Sequence, residues 1–117
     1  MNSPIGLFSE TSLADLRDVH AYYDDLRKQI RLADALGFDF FSATQSYGRD
    51  FPDTTFSVTP DPLMLFASES ANTKKIKVLT GILVAPFHHP AMAVSHAAAA
   101  DALTDGRVML GIGRGHP

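Results

Sequence analysis

Hydrophobic residues follow two spacings along this chain, and the change from one to the other predicts strands and helices. Ile5-Gly6-Leu7-Phe8 is a short apolar run beside polar neighbours, which is typical of a buried strand. Between residues 12 and 36 apolar side chains recur every three or four positions, with charged residues on the opposite face. This spacing predicts a helix that starts at Ser12 and stops at Gly37, followed by a second strand over residues 38–43.

The middle of the chain repeats this alternation after a long polar interval. Residues 44–60 have no apolar period and contain several Gly and Pro residues, so they predict a loop. The loop is longer than a usual strand-to-helix connection of about 2–6 residues, which makes it a candidate binding loop. Asp61-Pro62 then predicts the start of a second helix that ends near Ala71-Asn72.

The last part of the chain predicts two further strands around a third helix. Residues 76–85 form the most hydrophobic segment, with Gly81 in the middle. Pro90 predicts the first turn of an alanine-rich helix over residues 91–103, and residues 107–112 form the fourth strand. Strands alternating with helices predict an α/β fold in one domain, residues 1–117, with four parallel strands and three intervening helices.

The fourth strand opens into a glycine-rich turn, Gly111-Ile112-Gly113-Arg114-Gly115, which is suited to an anion. Glycine lets a ligand approach the main chain, and an arginine offers a planar set of donors to a phosphate. A dinucleotide fingerprint would need glycine at position 116, where His116 stands. The alternative is that these glycines only mark a tight corner of a barrel.

Composition narrows the classes of function. The chain has 117 residues, 45% hydrophobic and 20% charged, and a net charge of −3, which disfavours a nucleic-acid partner. Cysteine is absent, so thiolate chemistry and disulfides are excluded. The N-terminus has no secretion signal and no segment reaches the ~20 apolar residues of a membrane span, so we expect a cytoplasmic protein with no membrane partner.

Histidines and paired carboxylates were the other candidates for chemistry. His88, His89 and His96 are close in sequence but have no acidic residue at ligand spacing, so we expect no metal, with His89 capping the third helix. Asp24-Asp25 lies on the polar face of the first helix, and Asp50 and Asp53 lie in the long loop. Solvated charge is the simpler interpretation of both pairs.

Several segments, in this order, resemble the bacterial luciferase-like family of flavin-dependent monooxygenases and its deazaflavin-using relatives. They are Ala35-Leu36-Gly37-Phe38-Asp39, Asp61-Pro62-Leu63, residues 76–86, His89-Pro90, and residues 101–107 running on to the glycine-rich turn. The resemblance implies part of a (β/α)₈ TIM barrel, whose active site forms at the carboxyl ends of the strands. It also implies a homodimer through helices two and three.

The resemblance assigns roles to individual residues. Gly81-Ile82 falls where the family often has a cis peptide bond behind the flavin ring, and Gly113, Arg114 and Gly115 fall near the flavin and its phosphate. We expect Phe8 and Gln45, with the 44–60 loop, to face the substrate. The family commonly has a histidine where Gln45 stands, and glutamine cannot take up a proton near neutral pH.

A complete barrel needs about 250 residues, so we expect this chain to be a half-barrel, either a fragment or one part of a split protein. The resemblance implies a monooxygenase that uses reduced FMN and O₂ on a small organic substrate. It also implies a flavin reductase as a partner. We expect the isolated 117-residue chain to be inactive. The alternatives are a deazaflavin-dependent hydride-transfer enzyme and a dimerising fragment without catalysis.

Overall fold

A computed structural model describes residues 3–9, 12–13, 19–45, 56–57 and 61–115. Its eight strands and three α-helices follow each other along the chain, with short 3₁₀ turns after the second helix and before the third. They are β1 (Gly6–Ser9), β2 (Ser12–Leu13), α1 (Val19–Leu36), β3 (Phe40–Ala43), β4 (Phe56–Ser57), α2 (Pro62–Glu69), β5 (Lys77–Thr80), β6 (Leu83–Val84), α3 (Pro90–Leu103), β7 (Val108–Met109) and β8 (Ile112–Gly113).

The main sheet contains four parallel strands in the order β1-β3-β5-β7. One row across it aligns Leu7, Phe41, Val78 and Val108. Each strand therefore neighbours the next one along the chain, and a helix lies between them in sequence. The predicted α/β fold, with four parallel strands and three intervening helices, is confirmed.

Two predicted strands are divided in the structure. The segment 76–85 forms β5 and β6, separated by Gly81 and Ile82, whose peptide bond is cis. The segment 107–112 forms β7 and contributes the first residue of β8. The prediction of continuous strands was wrong. In each segment the two ends are in strands, and only the residues that connect them lie outside the sheet. A run of hydrophobic residues indicates burial, and it does not show where a strand is interrupted.

A second correction concerns the entry to the first helix and the polar loop. Ser12 and Leu13 form β2, which pairs antiparallel with β4 at Phe56 and Ser57. The predicted helix start at Ser12 and the unstructured loop over residues 44–60 were therefore wrong at these positions. The pairing joins segments more than forty residues apart, so no local pattern in either segment could indicate it.

The hydrophobic core fills the space between the sheet and the helices. Its largest buried members come from helices and strands alike: Leu26, Ile30, Phe41, Phe66, Ile76 and Val78. A smaller cluster joins Leu83 of β6 to Ala100 of α3 and Leu63 of α2. The side chains one position further along β1 and β7, Phe8 and Met109, point to the other face of the sheet and are exposed. One face of the sheet is thus covered by helices, and apolar side chains are left in contact with solvent on the other.

Arg107 joins the ends of two helices. Its Nε donates to the carbonyl of Thr104 at 2.7 Å, Nη1 to Thr73 Oγ1 at 2.9 Å and Nη2 to the carbonyl of Ser70 at 2.9 Å. The guanidinium also lies 5.4 Å from the centre of the Phe66 ring. All of these partners belong to the segments after α2 and α3 or to the core, so Arg107 has a structural role.

Asp34, near the end of α1, binds the chain that leads into β5. Its carboxylate accepts hydrogen bonds of 2.8 Å from the backbone N–H groups of Lys74, Lys75 and Ile76. Burial raises the pKa of the Asp34 carboxyl, but these three donors and the charge of Arg107 outweigh burial and hold the pKa below its usual range. The ionised carboxylate therefore stabilises the fold.

Thr80, the last residue of β5, binds the segment between β7 and β8. Its buried hydroxyl donates to the carbonyl of Gly111 at 2.8 Å and accepts from the Gly111 N–H at 2.9 Å. The same Gly111 carbonyl accepts from the N–H of Leu83 at 2.8 Å. A side chain thus satisfies the backbone of the neighbouring strand at the point where the sheet ladder is interrupted.

Asp34→Asn removes the charge that these three N–H groups bind, so at neutral pH we expect the free energy of unfolding to fall by about 1–3 kcal/mol. Because the folded-state pKa is depressed, the stabilisation is present above the unfolded-state pKa of about 3.9 and is lost as pH falls through the folded-state value. Urea unfolding followed by circular dichroism should therefore show the two proteins converging in acid. The control Asp25→Asn breaks only the surface pair with Lys28, and we expect a change below about 0.5 kcal/mol.

Thr80→Val keeps the shape of the side chain and removes its hydroxyl, leaving both polar groups of Gly111 without this partner. We expect the free energy of unfolding to fall by about 1–3 kcal/mol, and the Gly111 amide to exchange with solvent faster. Urea unfolding and amide hydrogen exchange measure these effects. Thr80→Ser retains the hydroxyl and is expected to keep the slow exchange of Gly111; equal exchange rates in the Val variant and the parent would contradict the assigned role.

Candidate functional site

Beyond the carboxyl ends of β5 and β7, the two segments are held together by a second, smaller parallel pair. β6 and β8 align Leu83 with Ile112 and Val84 with Gly113. The cis bond between Gly81 and Ile82 lies at the start of this region, at the position where the family resemblance led us to expect one. The structure therefore brings the predicted cofactor residues of the two segments next to each other.

The three glycines of the turn are packed against the segment that contains β5 and β6. A Cβ atom at Gly111 would collide with the carbonyl oxygen of Thr80, and one at Gly113 with Cδ1 of Ile82. A Cβ at Gly115 would lie 2.7 Å from Cγ1 of Val84, and its φ of +78° also favours glycine. Close approach of two protein segments thus accounts for the glycines, as the barrel-corner alternative requires. Their spacing is not by itself a sign of a ligand.

Arg114 is the basic residue of the turn, and its environment is unlike that of Arg107. Its side chain is exposed, and within the part of the chain that the structure describes no hydrogen bond or ion pair holds its guanidinium. Arg107, seven residues earlier, donates hydrogen bonds to Ser70, Thr73 and Thr104. Arg107 thus uses three of its five N–H donors inside the protein, whereas among the described residues Arg114 uses none and can offer its whole planar donor set to an external anion.

The two residues expected to face the substrate lie in different settings. Phe8 is 59% exposed, and its ring approaches Gly81, where Cε2 would be 3.5 Å from an added Cβ. Gln45 is only 6% exposed, and its Oε1 accepts a hydrogen bond of 2.8 Å from the N–H of Val84. Gln45 thus binds the protein's own backbone at the strand ends, with His88 Nε2 at 3.3 Å from the same oxygen.

Sequence reasoning did not place three residues in this region: Thr80 and Ser42, which it did not single out, and His88, which it considered only as a metal ligand. The Thr80 hydroxyl holds Gly111, and the buried Ser42 places Oγ 2.6 Å from where a Cβ of Gly81 would be. The available signal for Thr80 was a polar residue inside the most apolar strand, immediately before a glycine. For Ser42 and His88 the sequence carries no comparable signal, because their partners lie on other segments.

Other candidate groups have local explanations. His89 caps α3, with Nδ1 accepting from the N–H of Ala91 at 3.3 Å, as predicted. Asp24 pairs with Arg27 and Asp25 with Lys28 on the surface of α1, while Asp50 and Asp53 of the 44–60 loop lie outside the described residues. In the described ranges no three His or acidic side chains gather as metal ligands do. None of the helices described is both long and apolar enough for a membrane span.

Curated relatives are flavin-dependent and other monooxygenases. The chain is 28% identical over 103 residues to the oxygenase component of the flavin-dependent trigonelline monooxygenase of Acinetobacter baylyi, covering 88% of this chain and 27% of that protein. It is 31% identical over 90 residues to the 4-hydroxyprotoasukamycin monooxygenase of Streptomyces nodosus subsp. asukaensis, covering 77% and 24%. The chain thus spans about a quarter of the length of these relatives.

Solved structures share the fold. The oxygenating constituent of 3,6-diketocamphane monooxygenase from Pseudomonas putida, in complex with FMN, superposes with a TM-score of 0.84 at 24% identity, over 97% of this chain and 30% of that one. The coenzyme F420-dependent tetrahydromethanopterin reductase of Methanopyrus kandleri superposes with a TM-score of 0.72 at 21% identity, over 97% and 27%. Both likenesses support the partial TIM barrel.

The family model of the luciferase-like monooxygenases matches residues 3–117, which is nearly the whole chain. This match, together with the sheet of four parallel strands, decides the assignment: the chain belongs to the luciferase-like monooxygenase family.

Proposed function

We propose that this chain forms part of a flavin-dependent monooxygenase that uses reduced FMN and O₂ to oxidise a small organic substrate. The observation that carries the proposal is the arrangement at the strand ends, where the exposed Arg114 directly follows the β6–β8 pair. Family membership and the FMN bound to one structural neighbour support this choice of cofactor.

The residues present fit a flavin in chemical terms. A flavin mononucleotide combines a flat, largely apolar ring with a doubly charged phosphate. Phe8 and Ile112 expose apolar side chains at the ends of the strands, and Arg114 adds a guanidinium two residues after Ile112. Apolar surface next to a cation is the pairing that such a molecule needs.

Each of the predicted site residues then has a role in binding or positioning. Arg114 would bind the phosphate, and the Gly81–Ile82 segment would support the ring, with Gly113 and Gly115 letting the turn pack closely against Ile82 and Val84. Phe8 and Gln45 would border the substrate. Bound flavin in its reduced form supplies the electrons that activate O₂. The protein's own contribution is to hold these partners in register and to exclude water.

We further propose that activity needs more than these 117 residues. Four strands provide half of the eight that enclose the active site of a TIM barrel, and the chain covers about a quarter of its curated relatives. The chain alone is therefore expected to be inactive. A separate flavin reductase would supply reduced FMN, a proposal supported by the relative that is named an oxygenase component.

Arg114→Ala is expected to weaken FMN binding to the active protein by about 10- to 100-fold, because a charge-assisted contact contributes about 1.5–3 kcal/mol. Riboflavin lacks the phosphate, so its affinity should change little. Fluorescence titration with both ligands measures the difference. Arg114→Lys keeps the charge without the planar donor set, and it should give an intermediate FMN affinity.

Lys77→Ala is the matched control, since it removes an exposed cation at the opposite, amino-terminal end of a strand and should leave both affinities unchanged. An Arg114→Ala protein that binds FMN as tightly as the parent would eliminate the phosphate role. Equal weakening of FMN and riboflavin would instead indicate that Arg114 supports the fold of the turn.

A deazaflavin-dependent hydride-transfer enzyme is the second candidate. It is favoured by the coenzyme F420-dependent neighbours, whose fold this chain shares. Gly81–Ile82 would support either ring equally well. Parallel titrations of the active protein with reduced FMN and with the deazaflavin coenzyme separate the two: the coenzyme with the higher affinity identifies the reaction class.

A non-catalytic role as a dimerising fragment is the third candidate, and a groove between α2 and α3 favours the dimer. The groove has a volume of ≈ 200 Å³ and is lined mainly by apolar side chains, among them Met64, Ala67, Ala99 and Leu103. Met64 is 71% exposed. The alanine-rich face of α3 allows close helix approach, so we propose that a second copy of the chain packs here.

Met64→Glu would bury a charge in this interface, so it is expected to convert a dimer into a monomer in sedimentation velocity. Leu36→Glu, at a position 67% exposed at the end of α1, is the matched control and should leave the dimer intact. A parent chain that sediments as a monomer, or a dimer insensitive to Met64→Glu, would refute the proposed interface. A stable dimer without flavin binding would favour the non-catalytic role.

A further inference from the structure

A serine hydroxyl lies on the face of the sheet that the helices leave open. Ser42 belongs to β3 and follows Phe41, which is buried in the core among the helices. Because successive side chains of a strand point to opposite faces, Ser42 points away from that core. Its neighbours in the same row of the sheet are the exposed Phe8 of β1 and the half-buried Leu79 of β5.

The Ser42 side chain is buried without a hydrogen-bond partner among the residues that the structure describes. It is only 5% exposed, so its hydroxyl has lost most of its contact with water. Buried hydroxyl groups are ordinarily hydrogen-bonded, because a polar group that gives up water without a new partner is destabilising. Thr80 follows this rule, since its buried hydroxyl both donates to and accepts from Gly111. The exception at Ser42 indicates a partner from outside the described residues.

The surroundings of the hydroxyl indicate where that partner binds. A Cβ added to Gly81 would lie 2.6 Å from Ser42 Oγ and 3.5 Å from Phe8 Cε2, so the two side chains meet at Gly81. Gly81 is held there by its N–H, which donates to the carbonyl of Ala43 at 3.0 Å. It also opens the connection from β5 to β6, which belongs to the candidate site. Ser42 thus stands between an exposed aromatic ring and the main chain of that site.

This combination of groups suits a flat ring that carries polar atoms at its edge. Phe8 offers a flat apolar surface, and Gly81 has no side chain to hold a ring away from the main chain. The hydroxyl beside them can donate to a carbonyl oxygen or to a ring nitrogen. A pure hydrocarbon would leave the hydroxyl unpaired, and a phosphate would lie against the apolar ring of Phe8.

We propose that Ser42 is a coenzyme-binding residue, whose hydroxyl donates a hydrogen bond to a heteroatom of the flavin ring. The identity of the ring rests on the proposed function. The proposal assigns the two parts of the ligand to different residues: Arg114 binds the phosphate, and Ser42 binds the ring. Bound flavin then supplies the acceptor that the described residues do not offer to Ser42.

Fluorescence titration of the active protein with FMN and with riboflavin tests the ring contact. Ser42→Ala should weaken the binding of both ligands equally, by about 3- to 10-fold, which is the effect of one neutral hydrogen bond. Arg114→Ala, by contrast, should weaken the binding of FMN alone. Ser68→Ala is the matched control, because it removes a hydroxyl from the exposed side of α2 and should leave both affinities unchanged.

Urea unfolding of the same protein without flavin tests whether the hydroxyl is unpaired. Ser42→Ala should unfold at the urea concentration of the parent or at a higher one, because it loses no internal hydrogen bond. Thr80→Val, which does lose such bonds, should unfold at a lower concentration. A lower midpoint for Ser42→Ala, or failure of this variant to fold, would show that the hydroxyl already has a partner in the protein and would overturn the proposal.

The remaining outcomes separate this role from the proposed function. Unchanged flavin affinities in Ser42→Ala, in a parent that binds both ligands, would refute the role of Ser42 and leave the choice of cofactor standing. Weaker binding of FMN alone would refute the contact with the ring. A parent that binds neither flavin would disprove the proposed function and, with it, this role. Ser42→Cys keeps the shape with a weaker donor, so its affinities should lie between those of the parent and Ser42→Ala.

Discussion

The hydrogen bonds between the Thr80 hydroxyl and Gly111 are the constraint on which the strand ends depend. β5 ends at Thr80 and β7 at Met109, and a new pair, β6 with β8, begins three residues after each of these ends. Between them the chain passes through the cis bond at Gly81–Ile82. Without the Thr80 hydroxyl, the Gly111 N–H would lose this partner and the Gly111 carbonyl would keep only the N–H of Leu83, at the point where the sheet changes course. The side chain that interrupts an apolar run therefore keeps the two halves of the site in register.

The sequence predicts much of the fold because the elements of the main sheet are long enough to show a period. α1 and β3 follow from apolar spacing and Gly37, and the caps at Asp61 and His89 follow from local chemistry. The interruptions, by contrast, depend on contacts between segments. A hydroxyl that binds Gly111 and an amide that binds Val84 become visible only when the strands lie side by side.

In the candidate site, too, some residues could be identified from the sequence and others depend on contacts between segments. Arg114 could be selected from the sequence because arginine beside glycine suits an anion, and its exposure agrees with that selection. The sequence left open whether the glycines mark a ligand site or a tight corner, since the atoms that pack against them belong to Thr80, Ile82 and Val84 of the preceding unit. Gln45 was chosen as a residue facing the substrate, whereas its oxygen is occupied by the protein. Composition identifies a residue's chemistry, and only packing shows how much of that chemistry is already used.

In the described part of the chain β1 and β7 are the outer strands of the sheet, and their edges restrict what can join it. β1 offers four residues on one side and β7 only two on the other, and both run in the same direction. A strand added in parallel cannot arrive through a tight hairpin, because it must first return across the length of the sheet. Whatever continues this architecture at β7 thus has to bring its own crossover of a dozen or more residues, and it gains few hydrogen bonds until that crossover has packed. Growth of the sheet from this side is consequently tied to the docking of a helix.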